Sequence, residues 1–353
     1  MFKSFLYIFL FVSIVLLNCR CNDGSTRSKS PAKPIEQFAK MVSGFSIKGV
    51  GLVATTHEID SNEFINIRNI NANAIAIMPY GFCSTEKPSV VYNSTRQWWG
   101  ETDAGVQACI KLAKQNDLLV MIKPHLWIQN GIYSGKFELP GTEGWDLWES
   151  SYLDYILHFA RIGDSLHADL FCIGTELGLS IKQRPLFWNR LIDSVKKIYH
   201  GRITYAANWD DYDKVSFWKQ LDFIGIDAYF PLVNNATPSK EDIVEAWNNY
   251  LPNLEKISEE NNRTVLFTEY GYRNVDACTA EPWKEDGVDV NDVAQANAYE
   301  GFYRSFANKK WFAGGFVWKW YGENYFAGKN KIDFTPQGKS AENIIRKWYA
   351  VSP

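Results

Sequence analysis

After about residue 35, short and nearly unbroken apolar runs rich in β-branched residues alternate eight times with polar or amphipathic stretches. The runs are FSIKGVGLVA (45–54), AIAIMP (74–79), LLVMIKP (118–124), ADLFCIGTE (168–176), RITYAAN (202–208), FIGIDAY (223–229), RTVLFTE (263–269) and GGFVWKW (314–320). A strand with one wet face alternates apolar and polar residues. These largely do not, so they read as strands of a parallel sheet covered on both faces. Between them, residues 103–114 start on an acidic cap and place Val106, Ile110 and Ala113 at helical spacing. Residues 146–166, 186–199, 243–258, 293–306 and 341–349 read as helices on the same logic. Eight strands, each followed by a helix or a candidate helix, predict an α/β fold, the (β/α)8 TIM barrel. An open doubly wound sheet usually carries a glycine-rich phosphate loop after its first strand, and GVGLVA lacks the GxGxxG pattern. No repeat or second linker interrupts residues 35–353, which read as one domain.

The beginning of the chain reads differently. Lys3 precedes an apolar run from Phe5 to Leu17 broken only by Ser13, too short to span a bilayer and typical of a secretory signal. It ends in Leu16-Leu17-Asn18-Cys19, similar to a bacterial lipobox, so residues 1–18 read as a lipoprotein signal peptide with Cys19 as the lipidated residue. Cys21 is a weaker alternative, with Asn18 three residues before it. Residues 19–34 are polar and proline-containing and read as a tether. The expected location is a bacterial membrane, periplasmic or cell-surface, reached by export and held by a lipid anchor. In such a compartment Cys83, Cys109, Cys172 and Cys278 have three possible disulfide pairings, and spacing does not choose among them.

Composition narrows the function. Net charge is −3 with no basic run, which excludes an electrostatic nucleic-acid binder. Five scattered histidines and no CxxC pair disfavour a metal centre, no cofactor motif occurs, and no GxSxG elbow points to an esterase. Aromatic residues are abundant, at 14 Trp, 18 Tyr and 22 Phe. They fill cores, and they also stack against sugar rings.

In such barrels chemistry sits at the C-terminal ends of the strands. Glu176 ends the fourth run and Glu269 the seventh. One strand-end glutamate serves equally well as an ion-pair partner. Two at one barrel mouth form the pair that cleaves a glycosidic bond, one protonated and one ionised. Strict alternation along the seventh strand places Val265 and Phe267 on the axial side with Glu269. Aromatic and polar residues at other strand ends are candidates to hold sugar: Tyr229, able to donate to Glu269, His125 and Trp127 after the third strand, Trp99 in the long second loop, and Asn208 ending the fifth.

These residues carry a resemblance. IGTEL (173–177), DAYFPL (227–232), FTEYGY (267–272), FVWKWY (316–321) and DFTPQGKSAE (333–342), with WWGE (98–101) and KPHLW (123–127), resemble clan A of the glycoside hydrolases and, within it, family 113. That family acts largely on β-1,4-mannan. The resemblance implies a retaining double displacement with Glu176 as acid/base, Glu269 as nucleophile and Trp318 as the platform under the reacting sugar. The expected partner is an oligo- or polysaccharide, with neither cofactor nor metal. Thr175 departs from the clan, which usually places Asn before the acid/base to hydrogen-bond the sugar 2-hydroxyl. A clan A enzyme on another β-glycan and a non-catalytic glycan-binding lipoprotein are the competing readings. The presence of both glutamates favours an enzyme.

Overall fold

The computed structural model describes residues 44–322 and 332–351. The signal segment, the tether and Cys19 lie outside them. Eight parallel strands close into a barrel: β1 (Ile47–Val53), β2 (Ala74–Ile77), β3 (Leu119–Ile122), β4 (Leu170–Thr175), β5 (Arg202–Asn208), β6 (Phe223–Asp227), β7 (Thr264–Tyr270) and β8 (Phe312–Tyr321). Each pairs with its sequence neighbours, and β1 closes against β8 from Ile47↔Gly314 to Val53↔Tyr321.

Two apolar layers result. Ile47, Ala74, Ala76, Met121, Leu170, Phe223, Leu266, Ala313 and Phe316 form a small cluster drawn from seven of the eight strands and from no helix, which is the barrel interior. The larger cluster lies between the outer strand faces and the helices. Around the barrel run α1 (Asn62–Asn69), α2 (Asp103–Gln115), α3 (Gly141–Ser165), α4 (Gly178–Gln183), α5 (Pro185–Lys196), α6 (Lys240–Trp247), α7 (Leu251–Asn261), α8 (Asp292–Phe306) and α9 (Ser340–Ala350).

Several elements differ from the sequence expectation. The helix expected over 243–258 is two, because Pro252 near the start of α7 lacks the N–H that a continuous helix needs there. A capping box of Ser239 and Asp242 starts the first of the pair. Between β5 and β6 there is no α-helix, only the 3-10 turns Tyr212–Lys214 and Trp218–Gln220, tied by the Trp218 indole N–H donating to the Tyr212 carbonyl at 2.8 Å. Short strands Tyr80–Cys83 and His125–Ile128 pair in parallel beyond the ends of β2 and β3. All four described cysteines are buried free thiols, and burial pushes each up to about 12, so none is reactive.

The alternation expected along β7 also breaks. Leu266 is in the barrel interior, while Val265 and Phe267 face the helices. Both ladders of β7 change register between Phe267 and Tyr270. This bulge turns Thr268 and Glu269 towards the axis without moving Phe267 inward. Gly271 is needed just beyond it, because a β-carbon there would stand 2.2 Å from the Trp318 carbonyl oxygen of β8.

Candidate active site

The mouth of the barrel opens into a cleft of about 650 Å3 at the C-terminal strand ends. Glu176, Glu269, His125, Asn208, Tyr229 and Trp318 all line it, joined by Thr175, Asp227, Tyr133, Trp209, Trp283 and Phe334. Trp127 and Trp99 do not. Trp127 lies two residues beyond His125 on the outer short strand, about 7 Å further along an extended chain, and is 56% exposed. Trp99 opens the 3-10 turn Trp99–Glu101 and packs against the outer apolar layer.

Glu269 is held by two hydrogen bonds, with an imidazole nearby. Lys123, fully buried just past β3, donates to its Oε1 at 2.5 Å, and the Tyr229 hydroxyl donates to Oε2 at 2.8 Å. His125 Nε2 stands 3.5 Å from Oε1. Burial pushes the Glu269 carboxyl up, but the Lys123 ammonium and the two hydrogen bonds outweigh it, so the group lies below the usual glutamate range. Lys123 also donates to both oxygens of Asp227, at 2.9 and 3.0 Å, and Thr268 Oγ1 donates to Asp227 Oδ1 at 2.7 Å. One ammonium thus serves two carboxylates. Burial and the charge of Glu269 push Asp227 up to about 7, against the pull of Lys123 and Thr268.

Glu176 meets the opposite field. It follows β4 with φ of 53°, a left-handed conformation that a residue with a β-carbon adopts at a cost. Its N–H donates to the Ala206 carbonyl at 2.7 Å, and the next N–H, from Leu177, donates to the Tyr205 hydroxyl at 2.6 Å. These two anchors on β5 fix the turn that aims the side chain into the cleft. Burial, then the charges of Asp227 and Glu269, raise its carboxyl well above the usual range, and Lys123 and the Tyr133 hydroxyl only soften this. The arrangement thus favours the protonated form of Glu176 and the ionised form of Glu269.

The walls are aromatic. Trp318 enters from β8, its peptide with Lys319 cis, and lies nearly parallel to the His125 ring at 12° with centroids 6.5 Å apart. Burial and Lys123 push His125 down to about 3, so it is neutral. Thr175 Oγ1 donates to the Pro124 carbonyl at 3.3 Å and is turned towards the backbone. Among the described residues no group of three or more His, Cys, Asp or Glu side chains is placed to hold a metal.

Lys123, Asp227 and Tyr133 were not among the residues expected to build the site. The first two lie in KPHLW and DAYFPL, where a lysine and an aspartate inside apolar runs were the available signal. Tyr133, from the loop before α3, had none.

The fold is shared with solved structures. A family 113 β-mannanase from Alicyclobacillus acidocaldarius in complex with ManMIm superposes with a TM-score of 0.76 at 22% identity, covering 88% of this chain and 98% of that one. A family 113 β-1,4-mannanase complex gives 0.73 at 23% identity, covering 86% and 98%. A Faecalibacterium prausnitzii β-glucuronidase is more distant, at 0.55 and 16% identity, covering 87% of this chain and 49% of that one. No curated protein matches the sequence. Over residues 54–339 the sequence matches Glycoside Hydrolase Family 113, and the chain belongs to that family of glycoside hydrolases.

Proposed function

We propose that the protein hydrolyses β-mannan-type glycans with retention of configuration, Glu269 acting as nucleophile and Glu176 as acid/base. One observation carries this. Two carboxylates of a single cleft are driven in opposite directions, Glu269 down by Lys123 and Tyr229 and Glu176 up by burial and its acidic neighbours. A double displacement needs this difference. Glu176 protonates the leaving oxygen as Glu269 attacks the anomeric carbon. Glu176, now a carboxylate, then takes a proton from the water that opens the glycosyl ester. Mannan as substrate rests on the family and on the β-1,4-mannanases that share the fold.

Trp318 supplies the apolar floor for the reacting sugar, with Asn208 and Tyr229 around it. Because Thr175 is bonded to the backbone, another group must meet the 2-hydroxyl. His125 Nε2 fits, being buried and without a hydrogen-bond partner among the described residues. The lipobox-like Leu16-Leu17-Asn18-Cys19 after an apolar run supports export and retention at a bacterial membrane by lipid on Cys19.

Azide rescue tests the two roles. In Glu176→Ala the first step survives with a good leaving group, and azide replaces water without base help, restoring turnover as the β-glycosyl azide. In Glu269→Ala azide attacks from the opposite face and gives the α-azide. Product stereochemistry by NMR decides. Exchanged products reverse the two roles, and normal activity in both variants removes these residues from the reaction.

A further inference from the structure

We infer that Trp209 and Trp283 together form a platform for the leaving-group part of the glycan, a binding site for a β-linked pyranose beyond the scissile bond. The two indoles stack face to face, 5.4 Å between centroids and 15° between planes, and both line the cleft. They come from different segments. Trp209 directly follows β5, and Trp283 lies in the connection between β7 and α8. Trp209 is half-buried and backed by Phe230 at 5.9 Å, whereas Trp283 is 42% exposed. A solvent-exposed indole braced by a second one loses little freedom on binding, and such rigid aromatic surface suits the apolar face of a sugar.

The side of the cleft follows from the acid. The leaving oxygen must lie against Glu176, which ends β4 and is hydrogen-bonded to β5 through Ala206. The same strand β5 ends in Asn208, and Asn208 and the next residue, Trp209, both line the cleft. Trp318, on β8, is three strands from β5 in the closed ring of eight, close to the opposite side of the mouth. A chain running from Trp318 across the mouth to Glu176 therefore arrives beside the indole pair. Asp210 and Glu285, also lining the cleft, are placed to accept hydrogen bonds from hydroxyls at the edge of that ring.

The inference rests on the proposed mannan hydrolysis, and two substrates separate them. Mannotetraose has sugar on both sides of the bond, whereas β-mannobiosyl fluoride has a single atom as leaving group. Trp283→Ala should lower kcat/KM on mannotetraose roughly ten-fold, equivalent to about 1.4 kcal/mol, and leave the fluoride unchanged. Trp283→Tyr should restore part of the loss, and Trp209→Ala added to Trp283→Ala should cost little more, because the pair acts as one surface. Equal losses on both substrates, or none on either, overturn the platform. Wild-type activity on mannotetraose reports the mannan reading by itself. A wild type that cleaves the fluoride of another sugar but neither mannose substrate overturns that reading, and with it the platform as a mannan site.

Discussion

Lys123 is the residue on which the site's electrostatics turn, because its ammonium is shared between Asp227 and Glu269. Asp227 tempers it: two contacts to Asp227 leave less positive field on Glu269 than a lone Lys123–Glu269 pair would. Asp227→Asn removes that counter-charge while keeping a hydrogen-bond acceptor. Glu269 should then be held lower still, and Glu176 should lose one of the charges that raise it. In the proposed mechanism the active form has Glu269 ionised and Glu176 protonated. Both limbs of the kcat/KM profile should therefore move to lower pH, with a fall at the optimum of less than about ten-fold for each unit by which Glu269 drops, because its bond to carbon is only partly formed in the transition state. A basic limb that stays in place, measured on a soluble oligosaccharide, rules out Asp227 as a source of Glu176's raised pKa. At this scale the sequence was legible for the position of Glu176 and Glu269 at the cleft, since both close apolar runs at strand ends that form its mouth. It was less so for Trp127 and Trp99, because residue type and loop position do not say how far a loop carries a ring from the axis.

Elements were legible where burial made a continuous pattern and illegible where it did not. The expected range 202–208 is the observed β5, with apolar residues buried on both faces. The helix Asn62–Asn69 was missed because asparagines and one arginine dilute its apolar face. The bulge in β7 was invisible because register depends on both neighbouring strands and not on its own residues. Its consequence is measurable. Phe267 packs among Trp247, Phe302, Phe306 and Phe312, at 4.9 to 6.3 Å between centroids. Phe267→Ala should cost about 3–5 kcal/mol, read from urea unfolding, with KM nearly unchanged at temperatures where the variant is folded. Had alternation held, the ring would face the barrel axis beneath the cleft. A raised KM with wild-type stability would place it there.

At the scale of the whole molecule, the two ends of the barrel do different work. The cleft opens where the strands end, whereas β1 is entered from the opposite face, where Ser46 N–H donates to the Ala313 carbonyl at 3.1 Å. The last helix fastens that same region: the Tyr349 hydroxyl donates to the Gly49 carbonyl at 2.8 Å, and Lys48 Nζ donates to the Tyr349 carbonyl at 2.8 Å. The described chain thus enters the barrel on the face remote from the cleft. If Cys19 bears a lipid, Cys19→Ala should move the protein from the membrane fraction to the soluble one, or leave it unprocessed. Its kcat/KM on a short soluble oligosaccharide should equal that of the anchored enzyme, because the residues that line the cleft run from His125 to Phe334. Membrane retention in the variant would transfer the anchor to Cys21 or elsewhere. A release accompanied by lost activity would mean that the anchored segment contributes to the cleft, against the separation of the two faces.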